Sequence, residues 1–234
     1  MLLFLTGAGI SRESGLATFR GADGLWEKER IEDIATREAL RRDPERVYRF
    51  YDARRKDLLN PEVAPNPAHY ALARLQEEGK EEMVLVTQNI DDLHERAGSE
   101  DVLHMHGELL KARCTRCGAL SPQKTELSTR NVCPVCAARG ALRPHVVLFN
   151  EEPVHMEEIF YALSRCRVFI AIGTSGNVYP AAGFVAEARS RGAHTLELNL
   201  EPSLSAGLFT EGRYGLASKI VPAFVQDLLT GQVS

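Results

Sequence analysis

The amino-acid sequence predicts an α/β protein: a Rossmann-like parallel sheet lobe, with a smaller lobe made of a zinc ribbon and a helical insert. Three observations carry this. Short apolar runs recur along the chain, each ending in small or polar residues, and helical stretches separate them. Two CxxC pairs, Cys114 with Cys117 and Cys133 with Cys136, interrupt that alternation with fifteen residues between them. Continuous apolar runs suit strands buried on both faces of a parallel sheet. Strand, helix, strand alternation places ligands beyond the carboxyl ends of the strands.

In chain order, the run 2–5 ends at Thr6-Gly7 and the run 83–86 at Thr87-Gln88-Asn89; 168–172 ends at Gly173-Thr174-Ser175 and 195–198 at Asn199. Helices are predicted over 68–78 and 181–191. A charged helical insert covers about 31–60. Its second helix has Asp43 as N-cap and Pro44 at the first helical position, and it should stop before Pro61. The stretch around 111–140 is small, polar and poor in long apolar runs, as a metal-held module is. The expected organisation is one domain over 1–234, with a sheet lobe at about 1–30, 65–110 and 141–234. The helical insert (about 31–64) and the zinc module (about 111–140) make the small lobe.

At 234 residues, 44% hydrophobic and 26% charged, the chain can bury a sizeable core and has the composition of a soluble globular protein. The formal net charge of -4 gives no footprint for nucleic acid or an acidic membrane. No segment approaches the ~20 apolar residues of a membrane span. The opening run is too short for a signal peptide and has no basic leader, and no extension for targeting or regulation is expected before the first strand. With four of five cysteines assigned to metal and Cys166 left over, a reducing cytoplasm is the expected compartment.

Each CxxC pair is a tight knuckle that aims two thiolates at one ion. Cys114, Cys117, Cys133 and Cys136 together supply the closed tetrahedral shell of one structural Zn²⁺. With every position filled by sulfur, no site remains for water, and the metal should hold the fold without doing chemistry. Two disulfides or four buried thiols are the alternative reading of the same spacing.

The first strand runs into Gly7, Ala8, Gly9, Ile10 and Ser11, then Gly15-Leu16-Ala17-Thr18-Phe19-Arg20. Glycines there let a backbone come close to a pyrophosphate, and a following helix start offers amides to the anion. The dehydrogenase fingerprint needs glycine where this chain has Arg12, which disfavours an ordinary dehydrogenase. After the second strand come Gln88, Asn89, Ile90 and Asp91, of which Asn89 and Asp91 also read as N-caps for the next helix. His106 stands fifteen residues beyond Asp91, and histidine is the natural general base near neutral pH. His104 would share its face in an extended strand, so pattern alone leaves the two open.

The strings GAGIS, GLATFRG, TQNIDDLH, HGEL, AIGTSG and LNLEP, with the CxxC pairs between them, follow the order and spacing of the sirtuins. The chain resembles these NAD-dependent protein lysine deacylases over almost its whole length, and the bacterial class III branch most. The resemblance implies that the histidine directly before the glycine, His106, is catalytic. It implies NAD⁺ as co-substrate across the strand ends, its pyrophosphate and riboses held by the segment 7–26, including Phe19, Arg20 and Trp26. Gly173, Thr174, Ser175, Asn199, Leu200, Glu201 and Ala217 would complete that site. Gln88 to Asp91 would line the nicotinamide pocket, with Asn89 and Asp91 hydrogen-bonding the carboxamide. A protein's acyl-lysine would enter between the lobes, and its carbonyl oxygen would attack the ribose carbon as nicotinamide leaves. His106 would then act as base on a ribose hydroxyl that attacks the resulting imidate, giving free lysine, nicotinamide and O-acyl-ADP-ribose. The backbone at Val146 and Val147, with Phe149, resembles the strand that pairs with the substrate peptide. The chain departs from the family's usual aromatic and glycine at Leu148 and Asn150; asparagine tolerates a left-handed backbone better than most residues.

Val47, Tyr51, Arg54 and Leu58 are spaced by four, three and four, and so form one stripe on the insert's second helix. An arginine in a buried stripe needs an anion, unless its stem packs while its head escapes to water. The resemblance implies that Tyr51 and Arg54 are the Tyr-x-x-Arg pair of class III sirtuins that accept succinyl- and malonyl-lysine. A guanidinium fork beside a phenol suits a terminal carboxylate.

Two rival readings use the same residues. A sirtuin-like ADP-ribosyltransferase would need the same site; His106 with Tyr51 and Arg54 favours deacylation. A module that binds nucleic acid or protein through its zinc ribbon and merely senses NAD⁺ is the other. It would rest on Lys111, Arg113, Arg116, Lys124, Arg130, Arg139 and Arg143, which are scattered and not interleaved with aromatics. No stable nucleic-acid partner, no membrane partner and a monomer are expected.

Overall fold

Side chains alternate between the two faces of a strand, so a run that is apolar at every position must be covered on both sides. The computed structural model, which describes residues 1–18 and 30–231, meets that demand. Strands β1 (Leu2–Thr6), β2 (Met83–Thr87) and β3 (Leu103–His104) belong to the sheet lobe; β4 (Gly107–Cys114), β5 (Leu120–Pro122) and β6 (Leu142–Val146) follow in the small lobe. The chain then returns with β7 (Val168–Ile172), β8 (His194–Asn199) and β9 (Glu211–Tyr214). Six strands form one parallel sheet in the order β3-β2-β1-β7-β8-β9. On one face Leu2 and Phe4 pack with Leu85, Ile170 and Leu198, and on the other Leu3 and Leu5 pack with Val86, Phe169 and Ala171.

Helix α1 is the single turn Ala8–Ser11, followed in the insert by α2 (Ile31–Ile34), α3 (Arg37–Arg42) and α4 (Pro44–Leu58). Asp43 caps α4 as expected, its Oδ1 accepting from Arg46 N–H at 3.0 Å, and the helix stops before Pro61. Such a cap contributes ~1 kcal/mol. Packing of Val47, Phe50, Tyr51 and Leu58 against Ile34, Leu109 and Val146 holds α4 between the lobes. Helix α5 (Pro67–Glu78) follows, and α6 (Leu93–Arg96) comes after β2. Helices α7 (Met156–Arg165), α8 (Phe184–Ser190) and α9 (Ala217–Thr230) complete the described set. Residues of α5 and α9 cover the Phe4 face, and residues of α7 and α8 the Phe169 face. The single helix expected over 181–191 is split into a 3₁₀ turn, Ala181–Gly183, and α8.

The antiparallel sheet has the order β5-β4-β6, so pairing in the small lobe reaches from Gly107 to Val146. No described helix is long and apolar enough to cross a membrane.

The sheet's register sets the site. Thr6 lies level with Thr87 on one side and Ile172 on the other. The three residues that follow, Gly7, Gln88 and Gly173, therefore leave the sheet side by side. The chain passes from β1 to β2 on one side and reaches β7 on the other, which makes this row the topological switch point.

Candidate active site

Two of the glycines at this switch point touch. A Cβ on Gly9 would lie 2.7 Å from the Gly173 Cα, and Gly173 has φ +61 with a virtual Cβ 2.5 Å from Ile10 N. Any side chain at either position would push the loops after β1 and β7 apart. The amides of Gly7, Gly9 and Ile10 donate to Ile172 O, Gly173 O and Gly7 O, so these three are spent inside the protein. Their glycines serve the close approach of the two loops, and the anion donors expected at this helix start are not these three.

The loops enclose a cavity of about 790 Å³, within the ~300–1,000 Å³ of small-molecule clefts. Gly7, Ala8, Gly9 and Thr18 line it from the first loop, and Gln88, Asn89 and Ile90 from the second. Gly173, Thr174 and Ser175 follow β7; Asn199, Leu200 and Glu201 follow β8; Ala217 opens α9. His106, Val146, Val147, Phe149 and Tyr51 line the side toward the small lobe. Ile10 and Ser11 lie behind this wall, buried, and Gly15 is not among the lining residues. Neither is Asp91, which is buried, nor Arg54. Phe19, Arg20 and Trp26 lie outside the described residues.

Ser11 and Asp91 form the supporting layer. The Ser11 hydroxyl donates to Asp91 Oδ2 at 3.1 Å, Leu93 N–H donates to Asp91 Oδ1 at 3.1 Å, and Asn89 Nδ2 donates to Gly7 O and Ser11 Oγ, both at 3.1 Å. Of the two N-cap candidates, Asp91 therefore does receive an amide at the start of α6, while Asn89 turns back to the first loop. Burial pushes the Asp91 carboxyl up to about 6, against the lowering effect of the Leu93 and Ser11 bonds and of His104. Below it, burial lowers His69 to about 4 and His94 well below its ordinary value, so both rings are neutral.

The structure separates the two histidines that spacing left open. His104 Nε2 lies 2.7 Å from Glu95 Oε1 and its Nδ1 3.0 Å from Asn89 O. Burial opposes its charge, but Glu95 and the Asn89 carbonyl outweigh that and raise its pKa. His106 instead lines the cavity, its Nδ1 2.9 Å from Gln88 O. A carbonyl only accepts, so Nδ1 carries the proton and Nε2 is the basic nitrogen. Burial lowers the His106 pKa, which keeps the ring neutral near pH 7. The chain can turn between the histidine and β4 because Gly107 has φ +81; a Cβ there would sit 2.2 Å from His145 O.

The wall at 146–150 is largely satisfied within the protein. Val147 N–H donates to His106 O at 2.8 Å, Leu148 N–H to Glu151 Oε2 at 2.9 Å and Phe149 N–H to Ala35 O at 2.8 Å. These amides are spent within the protein, and Val146 O accepts from Arg143 Nη2 at 2.8 Å. Asn150 has φ +68, so the turn keeps the left-handed backbone that glycine would supply. Glu151, in the same turn, forms an ion pair with Arg143, Nη1 to Oε1 2.6 Å.

Tyr51 and Arg54 diverge. Burial pushes the Tyr51 phenol up, which keeps it a neutral donor on the cavity wall. The Arg54 guanidinium lies 4.9 Å from the centre of the Phe50 ring, and its Nε is 3.3 Å from Asp57 Oδ2. Its carboxylate partner is thus supplied by its own helix.

Arg12 and Glu13, within the expected segment 7–26 but not singled out there, also line the cavity, and Tyr179 and Leu204, which follow the glycine-rich loop and the β8 end, escaped the sequence reading. Glu13 accepts from Ser218 N–H at 2.9 Å and Ser218 Oγ at 2.7 Å, tying the first loop to the start of α9. Glu197, fully buried on β8, accepts from Ser203 N–H at 3.2 Å and from the Tyr214 hydroxyl at 3.1 Å. It anchors the lining segment after β8. A glutamate inside an apolar run was the available signal, since a buried carboxylate persists only where donors meet it.

The four module cysteines have their Sγ atoms within 4.8 Å of one another. Cys114 and Cys136 are 3.7 Å apart and Cys117 and Cys133 3.8 Å, well beyond the ~2.05 Å of a disulfide. A tetrahedral Zn²⁺ with ~2.3 Å bonds places its sulfurs ~3.8 Å apart. The thiols therefore fit one structural zinc ion, and the disulfide alternative is set aside.

A model of the Sir2 family matches residues 7–180. An NAD-dependent protein deacylase of Shigella flexneri is 58% identical over 230 residues, covering 98% of this chain and 84% of that protein. Its namesake in Yersinia pestis is 56% identical over 229 residues, covering 98% and 82%. A crystal structure of a Sir2 homologue complexed with NAD superposes with a TM-score of 0.87 at 36% identity, covering all of this chain and 90% of the other. Sir2 bound to a p53 peptide and NAD⁺ gives 0.80 at 31% identity, covering all of this chain and 94% of the other.

Proposed function

The chain belongs to the Sir2 family, and from that premise we propose that it is an NAD-dependent protein-lysine deacylase acting on acetyl and on acidic acyl groups, succinyl and malonyl. The observation that carries the reading is His106: a neutral histidine on the cavity wall, its tautomer set by Gln88 O. Bound NAD⁺ supplies a ribose carbon whose bond to nicotinamide is broken as the acyl oxygen attacks. His106 Nε2 would take the proton of a ribose hydroxyl so that this oxygen attacks the acyl carbon; the bond from that carbon to the lysine nitrogen would then break, the amine leaving with the proton, and a water molecule would complete O-acyl-ADP-ribose. Asn89, held by the Asp91 and Ser11 layer, orients the nicotinamide end. Gly7 to Gly9, Gly173 to Ser175 and Asn199 to Glu201 bring backbone close to the rest of the nucleotide. Cys114, Cys117, Cys133 and Cys136 hold a structural Zn²⁺. Protein acyl-lysines are the substrates, and a cytoplasmic monomer of two lobes is part of the same reading.

Acyl preference rests on Tyr51 and Arg54. An acidic acyl group has to draw Arg54 away from Asp57, whose side chain is 62% exposed. An exposed pair one helical turn apart is worth ~0.3–0.5 kcal/mol, whereas a hydrogen bond between a guanidinium and a carboxylate shielded from water is worth ~1.5–3 kcal/mol. The exchange therefore favours the substrate.

The test is a matched assay on one peptide carrying acetyl- or succinyl-lysine, with and without NAD⁺, following nicotinamide and deacylated peptide by mass. Equal amounts of both products, formed only with NAD⁺ and from both peptides, are expected. Arg54→Met should cost desuccinylation far more than deacetylation; equal loss would remove the acyl assignment. Nicotinamide released without deacylated peptide would mark ADP-ribosyl transfer instead.

A further inference from the structure

Helix α4 carries a second stripe beside the one that holds Tyr51 and Arg54. Glu45, Tyr48, Asp52 and Arg55 are spaced by three, four and three, and all four bond to the cysteine module or its strands. Glu45 Oε1 accepts from Thr129 N–H at 2.9 Å, and the Tyr48 hydroxyl donates to Leu142 O at 3.0 Å. Asp52 Oδ2 accepts from Leu127 N–H at 3.0 Å. Arg55 donates from Nε to Leu109 O and from Nη1 to Thr125 O, both at 3.2 Å, and forms an ion pair with Asp52. Its side chain is 2% exposed.

A buried ion pair is a poor device for stability alone, because well-packed apolar residues of similar volume usually serve as well or better. What it adds is direction. An apolar stripe lets a helix roll against its neighbours, whereas bonds to fixed carbonyls and an amide fix its rotation. Tyr51 and Arg54 each precede one of the bonded residues and turn with them. A roll of ~10° moves a group ~6 Å from the axis by ~1 Å, enough to spoil a directional contact.

We propose that Asp52 and Arg55 are positioning residues for acyl selectivity: by bonding α4 to the cysteine module they fix the rotation of the helix that carries Tyr51 on the cavity wall and Arg54 three residues further along the same stripe. This rests on the reading of Tyr51 and Arg54 given above. Neither Asp52 nor Arg55 lines the cavity, so any effect they have on acyl choice is indirect.

The test is the double variant Asp52→Leu with Arg55→Met, which fills the same space without directional bonds. We would measure kcat and KM on acetyl- and succinyl-lysine peptides, KM for NAD⁺, melting temperature and zinc content. The succinyl-to-acetyl ratio of kcat/KM should fall about tenfold, mostly through KM for the succinyl peptide. KM for NAD⁺ and zinc content should hold. In an Arg54→Met background the double change should alter the ratio no further. An unchanged ratio, or equal loss on both peptides, would overturn the proposal and leave the deacylase reading intact. If Arg54→Met itself leaves the ratio unchanged, the acyl assignment fails and this proposal with it. Should the double variant not fold, Asp52→Asn, which keeps an acceptor for Leu127 N–H but removes the charge facing Arg55, is read by the same ratio.

Discussion

At the scale of the residue, the buried Asp91 carboxylate carries the sharpest conflict between stability and function. Its pKa of about 6 lies above the ~3.9 of an unfolded aspartate. Between those values the folded protein keeps a proton that the unfolded chain has released, so this group's contribution to stability falls as pH rises from about 4 to 6. Above that range the ionised, buried carboxylate is a full cost. Asp91→Asn keeps an acceptor for Leu93 N–H and removes the charge. Melting curves should show the variant more stable by about 1–3 kcal/mol at pH 7.5, with the gain shrinking toward pH 4. Turnover should fall about ten- to a hundredfold, since Ser11 and Asn89 lose a charged anchor. A variant no more stable than the parent at pH 7.5 would mean that the folded-state pKa of Asp91 does not lie above its unfolded value. Asp91 was legible in the sequence, but its place one layer behind the wall was not, because burial depends on which side of the β2 loop faces the ligand. Arg54 shows the same limit: its spacing demanded a carboxylate, and Asp57, three residues on, meets that demand before any substrate does.

Among the elements, those written in local chemistry were readable. Strands β1, β2, β7 and β8 announce themselves as continuous apolar runs, and α4 by Asp43 and Pro44. Strand β9 was not readable: Glu-Gly-Arg-Tyr is a polar edge strand, paired on one side by β8 alone among the described strands. Yet β9 helps to build the site. Tyr214 reaches across to Glu197, and Gly212 leaves the room, since a Cβ there would sit 2.4 Å from the Tyr214 hydroxyl. The carboxylate in turn holds Ser203, at the end of the lining segment after β8. Tyr214→Phe keeps the ring and deletes one donor to a buried charge. KM for NAD⁺ should rise about three- to tenfold, with KM for the peptide unchanged. Equal shifts in both constants would assign Tyr214 to general stability and not to the nucleotide side of the cavity.

For the whole molecule, the decisive asymmetry is between two cores. Each face of the parallel sheet buries a cluster of fifteen described residues, whereas the cysteine module's cluster holds six, two of them the ligands Cys114 and Cys133. Its few apolar members supply only a small part of what ordering the segment costs, and four thiolates on one Zn²⁺ add ~10–16 kcal/mol to it. The two CxxC pairs therefore announced both a metal site and the reason the module can exist with so little core. Metal loss should act unevenly. In Cys114→Ser, or after chelation, amide hydrogen exchange should rise across β4 to β6 and then along α4, whose Glu45, Tyr48, Asp52 and Arg55 dock on that module. Protection in β1, β2, β7 and β8 should persist, because their cover comes from α5, α7, α8 and α9. Activity on every acyl group should fall together, in contrast to the selective loss expected when only the Asp52 and Arg55 bonds are removed. Full protection of 107–146 in metal-free protein would show that the six-residue core suffices, and the zinc would then lose its structural role.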